Sequence, residues 1–361
     1  METLIVGASF AGLSTAWWMN KLGYSVTVVE ISGELKRGGT PVNIRGNTID
    51  IVQRMGILEQ IKSNKLSLEL WEFKNADDVT EGSMLLQKQE EEFEIERDTL
   101  LNILFDTVKD DVKFIFNNSI TAINETREDV QVTFKDGQQQ SFDLLFGCDG
   151  IHSVVRKLCF GDESEYLHFL GQYFSIGIVN KLLIKQNTAQ SYNVPDKAIM
   201  LNAYNNKTDI IFCFRSDEVI PYNYRDEEQQ RKIILDKFEG ESWRTAELLK
   251  ELMSSKTFYF DKLCQIKMPS WTKGRVALVG DAAYCASPAA GMGGSLAIDG
   301  AAALADAMQK HKEDFESAFQ DYNKDFRPFI EEVQEEAVRM GLESLVLRTE
   351  EAIRKRNMEG F

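Results

Sequence analysis

The sequence has few of the residues that usually hold a metal ion. It contains three histidines, and its five cysteines, at positions 148, 159, 213, 264 and 285, include no CxxC pair. Metal sites in proteins need clusters of such side chains, so we predict no metal. An odd number of scattered cysteines is also more typical of a reducing compartment than of a disulfide framework, which favours a cytoplasmic location.

Positive charge and long apolar runs are scarce as well. The chain has 41 basic against 57 acidic side chains, for a net charge of −16. Because such a surface repels polyanions, we expect neither nucleic acid nor an anionic membrane as a partner. No apolar run is long enough to span a bilayer. The 361 residues, 43% of them hydrophobic, suffice for two domains or one large one.

The first thirty residues have the layout of a dinucleotide-binding unit. An apolar strand at residues 4–6 is followed by a loop with Gly7, Ser9 and Gly12, a helix to about residue 22, and a strand that ends in Glu30. Gly7 allows a tight turn, Gly12 allows close packing, and the helix amino end faces a pyrophosphate. Ser9 occupies the usual second glycine position, and Glu30 is placed to accept hydrogen bonds from an adenosine ribose. This layout predicts nucleotide binding without distinguishing FAD from NAD.

Residues 280–301 form a second motif. A short apolar strand before it brings Asp281 to the carboxyl end of a strand, where ligands bind in open α/β sheets. The turn and loop that follow contain Pro288, Gly291, Gly293 and Gly294. These glycines leave backbone amides at a helix start free to face an electron-rich group. The alternative is an ordinary flexible connection between a strand and a helix.

A third segment, residues 143–156, combines an apolar strand with Asp149, Gly150, Ser153 and Arg156. Together the three segments resemble the fingerprint set of the class A (single-component) FAD-dependent aromatic monooxygenases, the para-hydroxybenzoate hydroxylase group. They occur in the family's order and at about its spacing. Residues 38–40, 43–46, 95–100, 265–267 and 280–285 are most similar to the branch of tetracycline-inactivating and polycyclic aromatic hydroxylases.

The resemblance implies an α/β fold with a Rossmann-like FAD-binding domain of the GR2 type, an inserted antiparallel-sheet substrate domain and C-terminal helices. The expected FAD-binding domain is discontinuous and comprises residues 1–65, 95–165 and 258–312. The sheet domain comprises residues 66–94 and 166–257, and the C-terminal helices residues 313–361. Within these segments, residues 130–146 predict a hairpin around Asp136-Gly137. An apolar stripe from Phe315 onward predicts a helix that Pro328 kinks or splits.

The resemblance also implies a chemistry. NAD(P)H would reduce FAD, oxygen would add to the reduced flavin as a hydroperoxide, and one oxygen atom would pass to a phenolic or polycyclic aromatic molecule. Tetracycline-like compounds are one candidate substrate. Since the chain contains no second glycine fingerprint of the GxGxxG type, we expect NAD(P)H to be a transient co-substrate. We expect a monomer whose other partners are the aromatic substrate and O2.

Cofactor contacts follow from the motifs and the resemblance. Asp281 is expected to bind a ribityl hydroxyl and Pro288 to line the flavin face. Arg45 and Arg97 are candidate partners of the FAD phosphates and ribityl chain, with a surface ion pair as the alternative for each. Asp149 is expected either to organise the loop beside the cofactor or to cap a turn. The full expected set of cofactor-binding residues is Gly7, Ser9, Ala11, Gly12, Glu30, Arg45, Arg97, Asp149, Asp281, Pro288, Gly291, Met292, Gly293, Gly294 and Ser295.

Substrate contacts are less constrained by the sequence. Three aromatic side chains of the inserted sheet are candidates for the pocket, with core packing as the alternative: Tyr173, Phe212 and Phe214. No residue is assigned a catalytic role, because in this family the phenolate or enolate of the substrate drives the attack. Tyr284 and Met292 stand where the family usually has His and Gln. Two other functions remain open for such a chain: a flavin-dependent double-bond reductase and a non-catalytic FAD-binding protein.

Overall fold

The computed structural model of the protein describes residues 1–86 and 92–360. Residues 87–91 of the predicted sheet segment and residue 361 lie outside the described residues. The strands, in chain order, are β1 Glu2–Val6, β2 Ser25–Val29, β3 Val42–Arg45, β4 Leu70–Lys74, β5 Thr80–Leu85, β6 Glu92–Ile95, β7 Lys113–Ile115, β8 Ile120–Glu125, β9 Val130–Phe134, β10 Gln139–Phe142, β11 Leu144–Gly147, β12 Leu167–Val179, β13 Thr188–Val194, β14 Lys197–Tyr204, β15 Lys207–Arg215, β16 Thr257–Ile266, β17 Thr272–Lys273 and β18 Val276–Leu278.

The helices connect the strands and close the chain at its carboxyl end. In chain order they are α1 Phe10–Lys21, α2 Asn47–Arg54, α3 Leu58–Ser63, α4 Arg97–Asp106, α5 Val154–Cys159, α6 Glu227–Phe238, α7 Thr245–Ser254, α8 Asp281–Tyr284, α9 Gly293–His311, α10 Phe315–Glu336, α11 Leu342–Leu345 and α12 Glu350–Glu359. Short 3₁₀ turns lie at Glu163–Glu165 and Pro288–Ala290, and a π-helical turn at Ala337–Gly341 joins α10 to α11. None of the described helices is both long enough and apolar enough to cross a membrane.

The first sheet has the strand order β17-β18-β11-β1-β2-β7, and all its pairs are parallel except β17 with β18. Its central strands are nearly continuous apolar runs with fully buried residues, as expected for parallel strands covered on both faces. The carboxyl ends of β1, β2, β11 and β18 lie along one edge of the sheet. The three sequence motifs therefore meet there, which confirms the expected α/β architecture.

The second large sheet has the order β16-β12-β15-β14-β13-β4-β5. It is the expected antiparallel sheet, and it includes one parallel pair, β13 with β4. Strand β16 forms an edge of this sheet along β12. The expected boundary between residues 257 and 258 therefore falls within a strand of the sheet rather than between two domains.

Each face of the large sheet packs against a different layer. Helices α6 and α7 cover one face, where Phe212, Phe214 and Phe238 are buried. The opposite face packs against Leu342 and Val346 of the carboxyl-terminal segment and against Ala289 of the loop before α9. This opposite face is the one directed toward the strand ends of the first sheet, and we call it the cleft face.

Two smaller sheets complete the fold. Strands β3 and β6 form an antiparallel ribbon, and β8, β9 and β10 form a meander whose β9–β10 hairpin confirms the turn predicted at Asp136-Gly137. Helix α10 runs without interruption past Pro328, so of the two predicted effects of that residue, a kink or a split, the split is wrong. The irregularity comes later, at Gly341, where a Cβ atom would lie 2.1 Å from the Ala289 carbonyl oxygen.

Candidate active site

The loop after β1 brings α1 close to the sheet edge. Gly7 has φ +102°, and a Cβ atom there would lie 2.5 Å from the Cys148 carbonyl oxygen. A Cβ atom at Gly12 would lie 1.8 Å from the Gly7 carbonyl oxygen. Because any other side chain would force these backbones apart, both positions require glycine.

The amino end of α1 carries no side-chain cap. Ser9 is the N-cap residue, but its hydroxyl does not bond the helix backbone; it accepts a hydrogen bond of 3.2 Å from the Arg97 Nη2 atom instead. The first amides of α1 therefore keep their positive dipole end for a ligand. Ala11 contributes through its small size, since a Cβ atom at Gly280 would already approach the Ala11 Cβ to 2.9 Å.

Glu30 follows β2 and shapes the loop beside α1. Its Oε2 atom accepts a hydrogen bond of 2.8 Å from the Ala8 amide, and its Oε1 atom accepts one of 2.9 Å from the Ser32 amide. The side chain is buried. The carboxylate thus has a structural role that the sequence did not indicate. The expected contact with an adenosine ribose stays a prediction.

Arg97 contacts the loop of the first motif. Its guanidinium donates to the Ser9 hydroxyl and, over 3.1 Å, to the Lys36 carbonyl oxygen. Burial lowers the pKa of Arg97, while the negative charge of Asp281 is among the influences that oppose this shift. Arg97 therefore lies within electrostatic reach of Asp281, and the alternative of a surface ion pair does not describe it.

Asp281 lies at the start of α8, directly after Gly280, whose φ is +70°. The residue is exposed. Protein packed around it nevertheless raises the pKa of the carboxyl group, against the influence of Cys285 and Arg97. An acceptor is thus presented at the strand edge where the three motifs meet.

The loop from residue 287 to residue 295 places a second uncapped helix beside Asp281. The N-cap residue of α9 is Met292, which makes no side-chain capping bond, and Pro288, Gly291 and Gly293 are exposed. Gly291 adopts the left-handed conformation with φ +63°, which favours glycine. The first-turn amides of this 19-residue helix therefore have no side-chain cap, and the amino end of a helix attracts negative charge.

Two residues of the same loop are occupied with packing. A Cβ atom at Gly294 would lie 2.2 Å from the Val42 Cγ1 atom, so glycine lets α9 approach β3. The Ser295 hydroxyl donates a hydrogen bond of 2.7 Å to the Asn43 carbonyl oxygen. Only the backbone amide of Ser295 remains available to a ligand.

Asp149 is a helix cap. Its carboxylate accepts hydrogen bonds of 2.5 Å from the Ser153 hydroxyl, 2.7 Å from the Val154 amide and 3.1 Å from the Val155 amide. Of the two expected roles, the structure supports capping. Arg156, which sequence analysis did not assign to the site, donates over 2.9 Å to the Ala282 carbonyl oxygen and so ties the central motif to the last one.

His152 links the same central motif to the large sheet. Its Nδ1 atom lies 3.0 Å from Glu163 Oε2 and its Nε2 atom 3.2 Å from Asp261 Oδ2. The ring stacks on Tyr224 with a centroid distance of 4.1 Å. Burial alone would lower the pKa of His152, but Asp261 and Glu163 raise it to about 9. A protonated imidazole thus bridges Glu163 and Asp261, and Asp261 lies 109 residues after His152 in the sequence.

The expected pocket aromatics lie on the other face of the large sheet. Tyr173, Phe212 and Phe214 are at most 1% exposed and pack with Phe238 of α6. Because successive side chains of a strand point to opposite faces of the sheet, the next residue along β12, Phe174, lies on the cleft face instead. The expectation that these three residues line the pocket is therefore wrong, and the alternative of core packing is right.

Tyr284 points away from the cleft, although it stands where the family usually has His. Its hydroxyl oxygen accepts a hydrogen bond of 3.1 Å from the Tyr322 hydroxyl. A Cβ atom at Gly300 would lie 1.7 Å from the Tyr284 hydroxyl oxygen, so Gly300 makes room for the ring. The departure from the family pattern is thus a packing feature between α8, α9 and α10.

Arg45 lies on the β3–β6 ribbon and lines a cavity of about 180 Å³ together with Ala289, Met292, Met340 and Ser344. Within residues 1–86 and 92–360, its guanidinium has no hydrogen bond or ion pair. The structure therefore places an unpaired cation next to the loop before α9. No group of three or more His, Cys, Asp or Glu side chains in the described residues has the geometry of a metal site.

The geometry fits a long dinucleotide such as FAD. Two helix amino ends, those of α1 and α9, are uncapped and packed side by side, with the Asp281 carboxylate open to the cleft between them. One end suits a pyrophosphate, and the other suits the electron-rich edge of a ring system. The residues expected to bind the cofactor thus come together, apart from Asp149 and the side chains of Ala11 and Ser295.

Comparisons with known proteins agree with this geometry. The family described as "FAD binding domain" matches residues 1–337. A flavin-dependent monooxygenase of Legionella longbeachae is 34% identical over 337 residues, which cover 92% of this chain and 86% of that protein. The crystal structure of the tetracycline destructase Tet(51) aligns with a TM-score of 0.89 and 36% identity over 99% of this chain and 94% of that one. HpxO of Klebsiella pneumoniae, solved with FAD and uric acid, shares the fold with a TM-score of 0.78 at 19% identity, over 99% and 92% of the two chains.

Proposed function

This chain belongs to the FAD-binding domain family and is a flavoprotein monooxygenase, and we propose that it uses NAD(P)H and O2 to hydroxylate a phenolic or polycyclic aromatic molecule. Tetracycline-like compounds are the first candidates, because solved tetracycline destructases are 36% and 31% identical to the chain over nearly its whole length. The observation that carries the proposal is the pair of uncapped helix ends that flank Asp281 in one cleft.

The chain's own residues would hold the cofactor as follows. The loop from Gly7 to Gly12 and the amino end of α1 would bind the pyrophosphate, with Arg97 as its charge partner. Glu30 would bind the ribose of the adenosine, and Asp281 a ribityl hydroxyl. The segment from Pro288 to Ser295 would border the ring. When bound, FAD supplies the redox chemistry: it accepts electrons from NAD(P)H and activates O2.

The protein would favour this chemistry mainly through electrostatics and enclosure. The amino end of the long helix α9 stabilises negative charge on a neighbouring ring by its dipole. The cleft face of the large sheet would cover the substrate and exclude water. The phenolate or enolate oxygen of the substrate would drive its own attack, so the proposal requires no side chain as a general base.

The decisive experiment follows NAD(P)H, O2 and product together. With a panel of phenols and tetracyclines, we expect coupled consumption of NAD(P)H and O2, faster with substrate, and a product that carries one oxygen atom from ¹⁸O-labelled O2. Substrate-dependent turnover without O2 and with a saturated product would instead indicate a double-bond reductase. FAD binding without any turnover over the panel would indicate a non-catalytic protein.

We further propose that the protein acts as a monomer in the cytoplasm, with NAD(P)H as a transient visitor. The five cysteines are all free, and four of them are buried, which suits a reducing compartment. Light scattering of the purified protein tests the oligomeric state, and a molar mass of twice the chain mass would contradict the proposed monomer.

We also propose a division of the chain into a cofactor-binding domain, a sheet domain and C-terminal helices, as expected from the sequence, with β16 moved to the sheet domain.

A further inference from the structure

The β3–β6 ribbon has one apolar side and one polar side. Its apolar residues, Val42, Ile44, Phe93 and Ile95, are buried in the main core. Because side chains alternate along a strand, Asn43, Arg45, Glu92 and Glu94 project from the other side. Cross-strand pairing sets Asn43 opposite Glu94 and Arg45 opposite Glu92.

The polar side of the ribbon faces the cleft face of the large sheet. Glu96, next on the same side of the chain, forms an ion pair with Lys207 and accepts a hydrogen bond of 3.2 Å from the Asn205 side chain. Both partners belong to the β14–β15 hairpin. Arg45, at the other end of the ribbon, lines the cavity beside Ala289 and Met292. The polar side of the ribbon thus contacts the β14–β15 hairpin at one end and lines a cavity beside the proposed flavin site at the other.

Asp209 of β15 lies on the cleft face of the sheet, on the same side of the strand as Ile211 and Cys213. It lies opposite Asn202 and Ile178, and Ile178 packs against the apolar cluster of the cleft face. The side chain is 0% exposed. Its Oδ1 atom accepts a hydrogen bond of 2.8 Å from the Tyr204 hydroxyl, but its Oδ2 atom has no partner. A buried carboxylate oxygen without a partner is costly.

Glu94 lies on the polar side of the ribbon, opposite Asn43. Within residues 1–86 and 92–360, its carboxylate accepts no hydrogen bond and forms no ion pair. Lys207, a cation that acts on Asp209, is bound to Glu96. The electrostatic influence of Glu94 reaches Asp209. Two carboxylates from different elements, both short of hydrogen-bond donors, therefore act on each other electrostatically.

We propose that Glu94 and Asp209 bind a positively charged nitrogen of the substrate, such as a protonated tertiary amine. The preferred substrate would then be a phenol or enol that also carries a basic amine. Its oxygen-bearing ring would lie toward Arg45 and its amine toward the two carboxylates. This inference rests on the proposed monooxygenase function and adds the chemical class of the substrate to it.

The charge state of the two carboxyls sets a pH dependence. Burial and the charge of Glu92 raise the pKa of Glu94 to about 7. Burial also raises the pKa of Asp209 to about 7, helped by Glu94 and Glu96 and opposed by Tyr204 and Lys207. Both groups are neutral below this range and anionic above it. Binding of an ammonium group should therefore tighten as pH rises through about 7, as long as the amine itself stays protonated.

The test compares two probes that differ in the amine alone: tetracycline and its derivative without the 4-dimethylamino group. Calorimetry on the FAD-loaded protein measures both dissociation constants in the wild type and in Glu94→Gln and Asp209→Asn. Charge-assisted hydrogen bonds predict that the wild type binds the amine-bearing probe roughly 10- to 100-fold more tightly. In each variant, the two probes should bind with nearly equal dissociation constants. Glu128→Gln, an equal charge change in an exposed turn, is the matched control.

Each outcome bears on one claim. Three results would overturn the inference: equal affinity of the wild type for the two probes, an unchanged affinity ratio in a folded Glu94→Gln variant, or no binding of either probe. Each would favour a proton shared within the carboxyl pair instead. Glu94 is partly exposed, so its variant keeps the test valid if Asp209→Asn fails to fold. The proposed function fails separately, if no phenol of the wider panel is oxygenated. If phenols without an amine are oxygenated as efficiently as phenols with one, only the inference about the amine is contradicted.

Discussion

The ion-paired His152 makes a measurable contribution to stability that depends on pH. Its imidazole lies between Glu163 and Asp261, and 19% of the His152 side chain is exposed, against 4% for Asp261. A shift of the His152 pKa from 6.5 to about 9 corresponds to about 3 kcal/mol, at roughly 1.4 kcal/mol per unit. Because the pKa is raised on folding, this stabilisation is complete below pH 6.5 and disappears as pH rises through about 9.

The variant His152→Gln should lack this stabilisation. Urea unfolding of both proteins, followed by circular dichroism, should give a difference of about 3 kcal/mol near pH 6 that falls toward zero near pH 9.5. The difference between the two proteins is the relevant quantity, because the partly buried Cys159, whose pKa burial raises to about 11, destabilises both at high pH. His168→Gln, at an exposed position of β12, is the matched control. Equal pH profiles of the wild type and His152→Gln would refute the reasoning.

Three further changes test other parts of the site. Asp281→Ala should weaken FAD retention and leave the circular dichroism spectrum unchanged; unchanged FAD affinity would show that the ribityl site is misplaced. Gly294→Ala places a Cβ atom 2.2 Å from the Val42 Cγ1 atom. It should therefore lower the unfolding free energy by about 1–3 kcal/mol and weaken FAD binding. Unchanged FAD affinity would argue against close packing of α9 on β3. Tyr322→Phe removes a hydroxyl that bonds the Leu278 carbonyl and Tyr284, each over 3.1 Å. It should cost about 1 kcal/mol of stability with FAD affinity intact, and a loss of FAD affinity would mean that this cluster reaches the cleft.

The features that local sequence determines were predictable. Glycine at positions 7 and 12 and the apolar strands around them follow from short-range constraints on the backbone, and the structure places them as the sequence indicates. The hairpin at Asp136-Gly137 follows from its turn residues in the same way. These elements sufficed to predict the α/β fold and the meeting of the three motifs.

The features that depend on distant partners were not predictable. Both faces of β12 are apolar, so alternation alone does not say whether Tyr173 or Phe174 faces the cleft; the layer that covers each face decides it. The contacts of His152 with Asp261 and of Arg156 with Ala282 join segments more than a hundred residues apart. Pro328 remains within α10 because packing along the buried stripe of that helix overrides the local preference.

The central claim is that three segments distant in sequence build one binding site for FAD. A crystal structure of the protein with FAD tests it most directly. We predict density for the pyrophosphate at the amino end of α1, for the ribityl chain at Asp281, and for the flavin ring beside residues 288–295. Density for FAD at any place other than the cleft beside the amino ends of α1 and α9 would contradict the account.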